Sequence, residues 1–146
     1  MARLFAVAAL LVVAGCSPGL DVDTYPTEPD TRASCESLFA DAPQRVGGED
    51  TIRVNGDAVA WGAPPIILRC GVERPAVFDQ APQCDLIADI DWIAEPTADG
   101  FLFTTYGRRF HVSVEVPNAY DPAADVLADL ADVIKRHDPF DKSCGG

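Results

Sequence analysis

His111, Ser113 and Glu115, alternating in FHVSVEV, combine a base, a nucleophile and a carboxylate on one stretch of chain. A hydrolase needs such a nucleophile with a base in hydrogen-bond reach and a group that orients the base. Alternation puts all three on one strand face, yet neighbours in such a row stand about 7 Å apart with side chains roughly parallel. The row therefore reads first as a polar strand face, and a small envelope hydrolase working around His111 and Ser113 is the alternative. No residue is assigned as catalytic. Asp85, Asp89, Asp91 and Glu95 offer hard oxygen ligands, but they lack the spacing and turn glycine of a calcium loop, and no metal site is assigned. Trp61, beside Gly62 and the Pro64-Pro65 step, offers a ring that could stack on a sugar or peptide. Arg108 and Arg109, next to Gly107, offer paired positive charge to an anionic group. These three are the candidate binding residues, set against the commoner fates of an aromatic core plug and solvated turn arginines. No phosphate-cradling glycine loop occurs, and no cofactor is expected.

The five cysteines raise a separate question, because the count is odd. From Leu4 to Val13 every residue is apolar, preceded by Arg3. As a helix this run is roughly 15 Å long, half of a bilayer's roughly 30 Å hydrocarbon core, so it reads as the apolar region of a signal peptide. Ala14 and Gly15 lead directly into Cys16, and VAGC is similar to the lipobox of bacterial lipoproteins. The resemblance implies that residues 1–15 are removed and that Cys16 becomes a lipidated N-terminus. Acyl chains of the palmitate class would then hold it to the outer face of the cell membrane, and two chains anchor stably where one binds marginally. The other reading is an ordinary secretory signal with an incidental cysteine. Cys35, Cys70, Cys84 and Cys144 remain, an even number suited to disulfides in an oxidising compartment. Three connectivities are possible; the expected one joins Cys70 to Cys84 across a short proline-rich loop and Cys35 to Cys144 across the whole domain.

The formal net charge is −12 and becomes one unit more negative without Arg3. Nucleic-acid binding needs basic patches that this chain lacks, so no nucleic-acid partner is expected. Residues 16–33 hold several prolines and acidic residues without apolar periodicity, and they read as the lipidated cysteine followed by a disordered tether. Thr24, Thr27 and Thr31 beside the prolines of that stretch could carry O-linked sugars, but Thr and Pro are equally usual in unmodified linkers. Residues 34–146 make one extracytoplasmic domain.

Within it, SCESLFADAP predicts a short helix ending before Pro43. Gly47-Gly48 and Asn55-Gly56 predict turns between strands, and IILRCGV predicts a strand from Ile66 to Val72. DLIADIDWI reads as one alternating strand with Leu86, Ala88, Ile90 and Trp92 on one face. FLFTTYGRRFHVSVEV reads as a hairpin turning at Gly107-Arg108, with Phe103 opposite Val112 and Phe101 opposite Val114. Val126, Leu127, Leu130, Val133 and Ile134 predict an amphipathic C-terminal helix; Lys135, Arg136 and His137 complement the negative end of its dipole. The fold class is α+β: an antiparallel sheet with the C-terminal helix packed on one face, stapled by disulfides.

AWG, LRCGV, DW, TTYGR and VEVP follow one another between Ala60 and Pro117. In that order and spacing they resemble an actinobacterial family of uncharacterised secreted proteins and lipoproteins, domain of unknown function 3515. The resemblance implies an envelope location and brings no activity, cofactor or ligand. The expected role is a non-enzymatic binding or adaptor domain for an envelope protein or cell-wall component, with a structural spacer as a further alternative.

Overall fold

The computed structural model describes residues 18–80 and 82–144. Cys16 and the expected signal peptide, residues 1–15, lie outside the described residues. The chain forms strand β1 (Leu20–Asp21), helix α1 (Arg32–Ala40), strands β2 (Arg45–Val46), β3 (Glu49–Ile52), β4 (Val54–Asn55), β5 (Val59–Trp61) and β6 (Ile66–Cys70), and a 3-10 turn (Ala76–Gln80). Strands β7 (Asp85–Ile87), β8 (Ile90–Pro96), β9 (Gly100–Tyr106) and β10 (Val112–Pro117) follow, and helix α2 (Ala123–His137) closes the domain. Eight strands make an antiparallel sheet in the order β2-β3-β5-β6-β10-β9-β8-β7.

Alternation sorts the central strands into two faces. Trp61, Ile66, Leu68, Trp92, Phe103, Val112, Val114 and Val116 point to the helical side and are buried there with Val126, Leu127, Leu130, Val133 and Ile134 of α2. The apolar stripe of α2 is the one its sequence spacing predicts, and Leu38 and Cys35 of α1 complete the same core. The opposite face carries the Arg69–Glu115 ion pair, with nitrogen and oxygen 3.2 Å apart. It also carries Thr104 and Ser113, both buried, although the row that holds Ser113 reads from sequence as a polar strand face. Phe78 of the 3-10 turn stacks against Tyr106 and His111 on this face.

Two strand readings need correction. DLIADIDWI is a tight hairpin, because Ala88 and Asp89 both take positive φ, 50° and 65°, and reverse the chain between β7 and β8. Left-handed backbone is costly for residues with a Cβ. It is outweighed by six paired positions between β8 and β9, from Asp91↔Tyr106 to Pro96↔Phe101. Leu86 is consequently left 70% exposed at the sheet edge. The β9–β10 hairpin pairs Phe103 with Val114 and Phe101 with Val116, two residues away from the expected register. Arg108 is drawn inward, so the connection is wider than a two-residue turn, and the Val112 N–H bonds to the Thr105 hydroxyl at 3.0 Å instead of to a backbone carbonyl. A shift of two keeps every side chain on its predicted face.

The disulfides join Cys35 to Cys70 and Cys84 to Cys144, not Cys70 to Cys84 and Cys35 to Cys144. Cys70 ends β6 on the helical face, directly beneath α1, and so meets Cys35 with Cα atoms 5.5 Å apart. The C-terminal segment runs back along the β7–β8 edge, where the Cys144 N–H bonds Asp91 Oδ2 at 3.0 Å and its sulfur reaches Cys84. Paired cysteines are the mark of an oxidising, extracytoplasmic compartment. No described helix is long and apolar enough to cross a membrane.

Candidate functional site

The stretch expected to be a free tether is, from residue 18 on, laid against the domain. Strand β1 pairs in parallel with β4, Leu20 with Val54 and Asp21 with Asn55. The Tyr25 hydroxyl lies 2.8 Å from the Asp57 carbonyl and 3.0 Å from the Cys70 carbonyl, and accepts from the Cys70 N–H at 3.2 Å. Burial raises the phenol's pKa above its usual value. Thr27 bridges to Val72, the Glu28 N–H bonds the Gly71 carbonyl at 2.7 Å, and a Glu28 carboxylate oxygen lies 2.7 Å from His111 Nδ1. A side chain at Gly71 would overlap Thr31, so the strap's close approach requires glycine there, as does its φ of 69°. The signal for this strap in the sequence is Tyr25: an aromatic ring amid proline and acidic residues has apolar area to bury.

Between the strap and α1 opens a cleft of about 430 Å³, floored by Cys35 and Cys70 and walled by Tyr25, Glu28, Asp30, Glu36, Phe39 and Asp57. Among the described residues its one basic lining residue, Arg32, is already paired with Glu36, Nε to Oε1 at 3.0 Å. With Glu36 paired to Arg32 and Glu28 against His111, Asp30 and Asp57 supply the cleft's negative field, and the two aromatic rings can pack against an aliphatic stem or a cation. Among the described residues no three His, Cys, Asp or Glu side chains converge to hold a metal ion.

The family model described as Protein of unknown function (DUF3515) matches residues 1–142. The chain belongs to this family. No curated protein matches it, and no solved structure does.

In this DUF3515 domain the candidates singled out on sequence are dispersed. Trp61 is fully buried beside α2, its indole N–H donating to the Pro43 carbonyl at 2.8 Å, so it plugs the core and offers no stacking surface. Arg108 is also interior. Its guanidinium donates to the Asp138 carbonyl at 2.8 Å and the Asp89 carbonyl at 3.2 Å, clamping the end of α2 to the β7–β8 turn. Desolvation lowers its pKa, opposed by the charges of Asp138 and Asp91. Only Arg109 remains exposed. His111 is engaged by Glu28 and makes no hydrogen bond with Ser113, while Glu115 is taken by Arg69, so the row on β10 does not assemble a nucleophile and its base. Asp89 and Asp91 are likewise occupied separately, by Lys135 and by the Cys144 N–H.

Sequence reasoning missed Asp138, which follows α2 and is buried completely. Its Oδ1 accepts the Phe110 N–H at 3.2 Å, its Oδ2 has no partner, and burial pushes its pKa up to about 7 against the pull of that N–H and of Arg108. A second, shallower groove of about 340 Å³ lies at the start of α2, lined by Gly47, Tyr120, Asp121, Asp125 and Asp129. There the Gly47 N–H bonds Asp129 at 2.9 Å and the Tyr120 hydroxyl donates to the Pro64 carbonyl at 2.7 Å.

Proposed function

We propose that this chain is a membrane-anchored envelope lipoprotein whose domain is a non-enzymatic binding module, and that the cleft under the N-terminal strap takes a lysine- or arginine-bearing segment of an envelope protein. The anchor rests on the lipobox-like VAGC ending at Cys16, and paired cysteines agree with life outside the cytoplasm. The observation that carries the binding role is the cleft itself. Among the described residues its wall carries the rings of Tyr25 and Phe39 and four carboxylates; Glu36 is paired with Arg32 and Glu28 is engaged by His111, which leaves Asp30 and Asp57 to meet a cation. Such a surface favours a basic chain through charge and through burial of the long aliphatic stems of lysine and arginine.

A fluorescent Lys/Arg-rich peptide, titrated against the soluble domain and read by anisotropy, tests the assignment. Asp30→Asn with Asp57→Asn is expected to weaken binding at least about tenfold, each lost charge contact being worth on the order of 1 kcal/mol. The matched pair Asp121→Asn with Asp125→Asn, in the second groove, makes the same change in net charge and is expected to leave affinity nearly unchanged. Equal weakening by both pairs means attraction to the overall charge alone and overturns the cleft as the site.

A further inference from the structure

The strap also determines which end of the domain meets the membrane, an inference that rests on the proposed lipid anchor at Cys16. Fixed backbone begins at Leu20, whose N–H bonds the Arg53 carbonyl at 2.8 Å, and continues with Val22 on the Asn55 carbonyl at 3.2 Å. The Asn55 side-chain amide holds Asp21 Oδ1 at 2.9 Å, and Gly19 lies against Arg53 and Asn55. From Cys16 to Leu20 is four residues, a span of at most about 14 Å even when fully extended. A domain of this size has a radius of gyration of roughly 14 Å and hence a width well over twice that reach. The leash is too short for the domain to turn over. The bilayer therefore meets the domain on the side that holds β1, β4 and the Ile52-Arg53 corner, and the opposite sheet edge stays out of reach.

That end carries two groups suited to a headgroup layer. Ile52 is one of few large apolar side chains left exposed among the described residues. The neighbouring Arg53 is exposed and makes no ion pair among them. We propose that this β1–β4 end rests on the phospholipid headgroup layer, brought there by the leash, with Arg53 meeting lipid phosphate and Ile52 entering the interface. The cleft adjoins this end, since its lining residue Asp57 lies two residues beyond β4.

The test uses the full lipidated chain in phosphatidylcholine vesicles containing a headgroup-nitroxide lipid, with a fluorescent amino acid placed at position 52 or at position 86. Leu86 sits on the opposite edge strand, six strand spacings from β3 or roughly 29 Å across the sheet. Strong quenching at 52 and little at 86 is expected. Arg53→Glu should reduce the quenching at 52, and a flexible spacer of about twelve residues inserted after Pro18 should abolish the difference between the sites. Equal quenching at both positions, or none at either, in a chain whose Cys16 lipid is verified by mass spectrometry, overturns the orientation and leaves the anchor standing. An unmodified Cys16 in protein taken from its native membrane overturns the anchor and the orientation with it.

Discussion

Replacing Asp138 by asparagine is expected to make this domain more stable at neutral pH and to remove one component of its pH dependence. The folded carboxyl has a pKa of about 7 against an ordinary 3.8, raised chiefly by burial. Below pH 3.8 the carboxyl is protonated in folded and unfolded chains alike, so it costs nothing. As pH rises from there to 7, the unfolded chain releases the proton and the folded chain keeps it, which lowers stability by about 1.4 kcal/mol per pH unit. The accumulated loss is about 4 kcal/mol and levels off above pH 7. Asparagine keeps an oxygen for the Phe110 N–H and places an amide where the protonated carboxyl already has an unpartnered O–H, so its cost beyond the acid form is the one extra N–H, about 1 kcal/mol. The variant should therefore be slightly the less stable chain near pH 4 and the more stable one at pH 8, by about 3 kcal/mol. Urea unfolding of both chains across that range, followed by tryptophan fluorescence with the disulfides intact, reads the difference directly. A difference that stays constant with pH would refute the argument, because it would show that Asp138 titrates alike in the folded and unfolded states.

Further outcomes follow from the fold. Peptide mapping without reduction should recover Cys35 linked to Cys70 and Cys84 linked to Cys144, and an alkylating reagent should label none of the four before reduction. The bonds close spans of 35 and 60 residues, so removing either pair by serine substitution should cost about 4 kcal/mol in the chain-entropy account. Thr104→Val should raise stability by about 1 kcal/mol in denaturant unfolding, since the Thr104 hydroxyl is buried without a partner and valine has the same shape; a loss would mean that the hydroxyl is bonded. Ala88→Asn with Asp89→Gly suits the left-handed pair in the β7–β8 turn and should add roughly 1 kcal/mol. No gain there would mean that the turn is unstrained. Under the proposed lipid anchor, which rests on the sequence and not on the fold, Cys16→Ala should release the protein from the membrane fraction, and continued tight association would rule the anchor out.

What the sequence determined on its own is whatever depends on short-range pattern. The stripe from Val126 to Ile134 has helical period, so α2 and its buried face could be read directly. Alternation in FLFTTY and VSVEVP identified two strands and sorted their faces, and that sorting survived the register error because the slip was two residues. The even number of cysteines after Cys16 pointed to disulfides in the same local way. Tertiary structure decided everything set by contacts between distant segments. Cys70 pairs with Cys35 and not with nearby Cys84 because β6 ends beneath α1. Arg108 and Asp138 are buried because the end of α2 docks on the β9–β10 connection, thirty residues along the chain from Arg108. Residues 18–31 are ordered because Tyr25, Thr27 and Glu28 find partners at Asp57, Cys70, Val72 and His111, none of them visible from within a proline-rich acidic stretch. The cleft exists only where that strap passes α1, so its carboxylates have no signature in sequence spacing. Local periodicity reports which face of an element is apolar; it carries no information about which distant surface that face, or an isolated ring or charge, will meet.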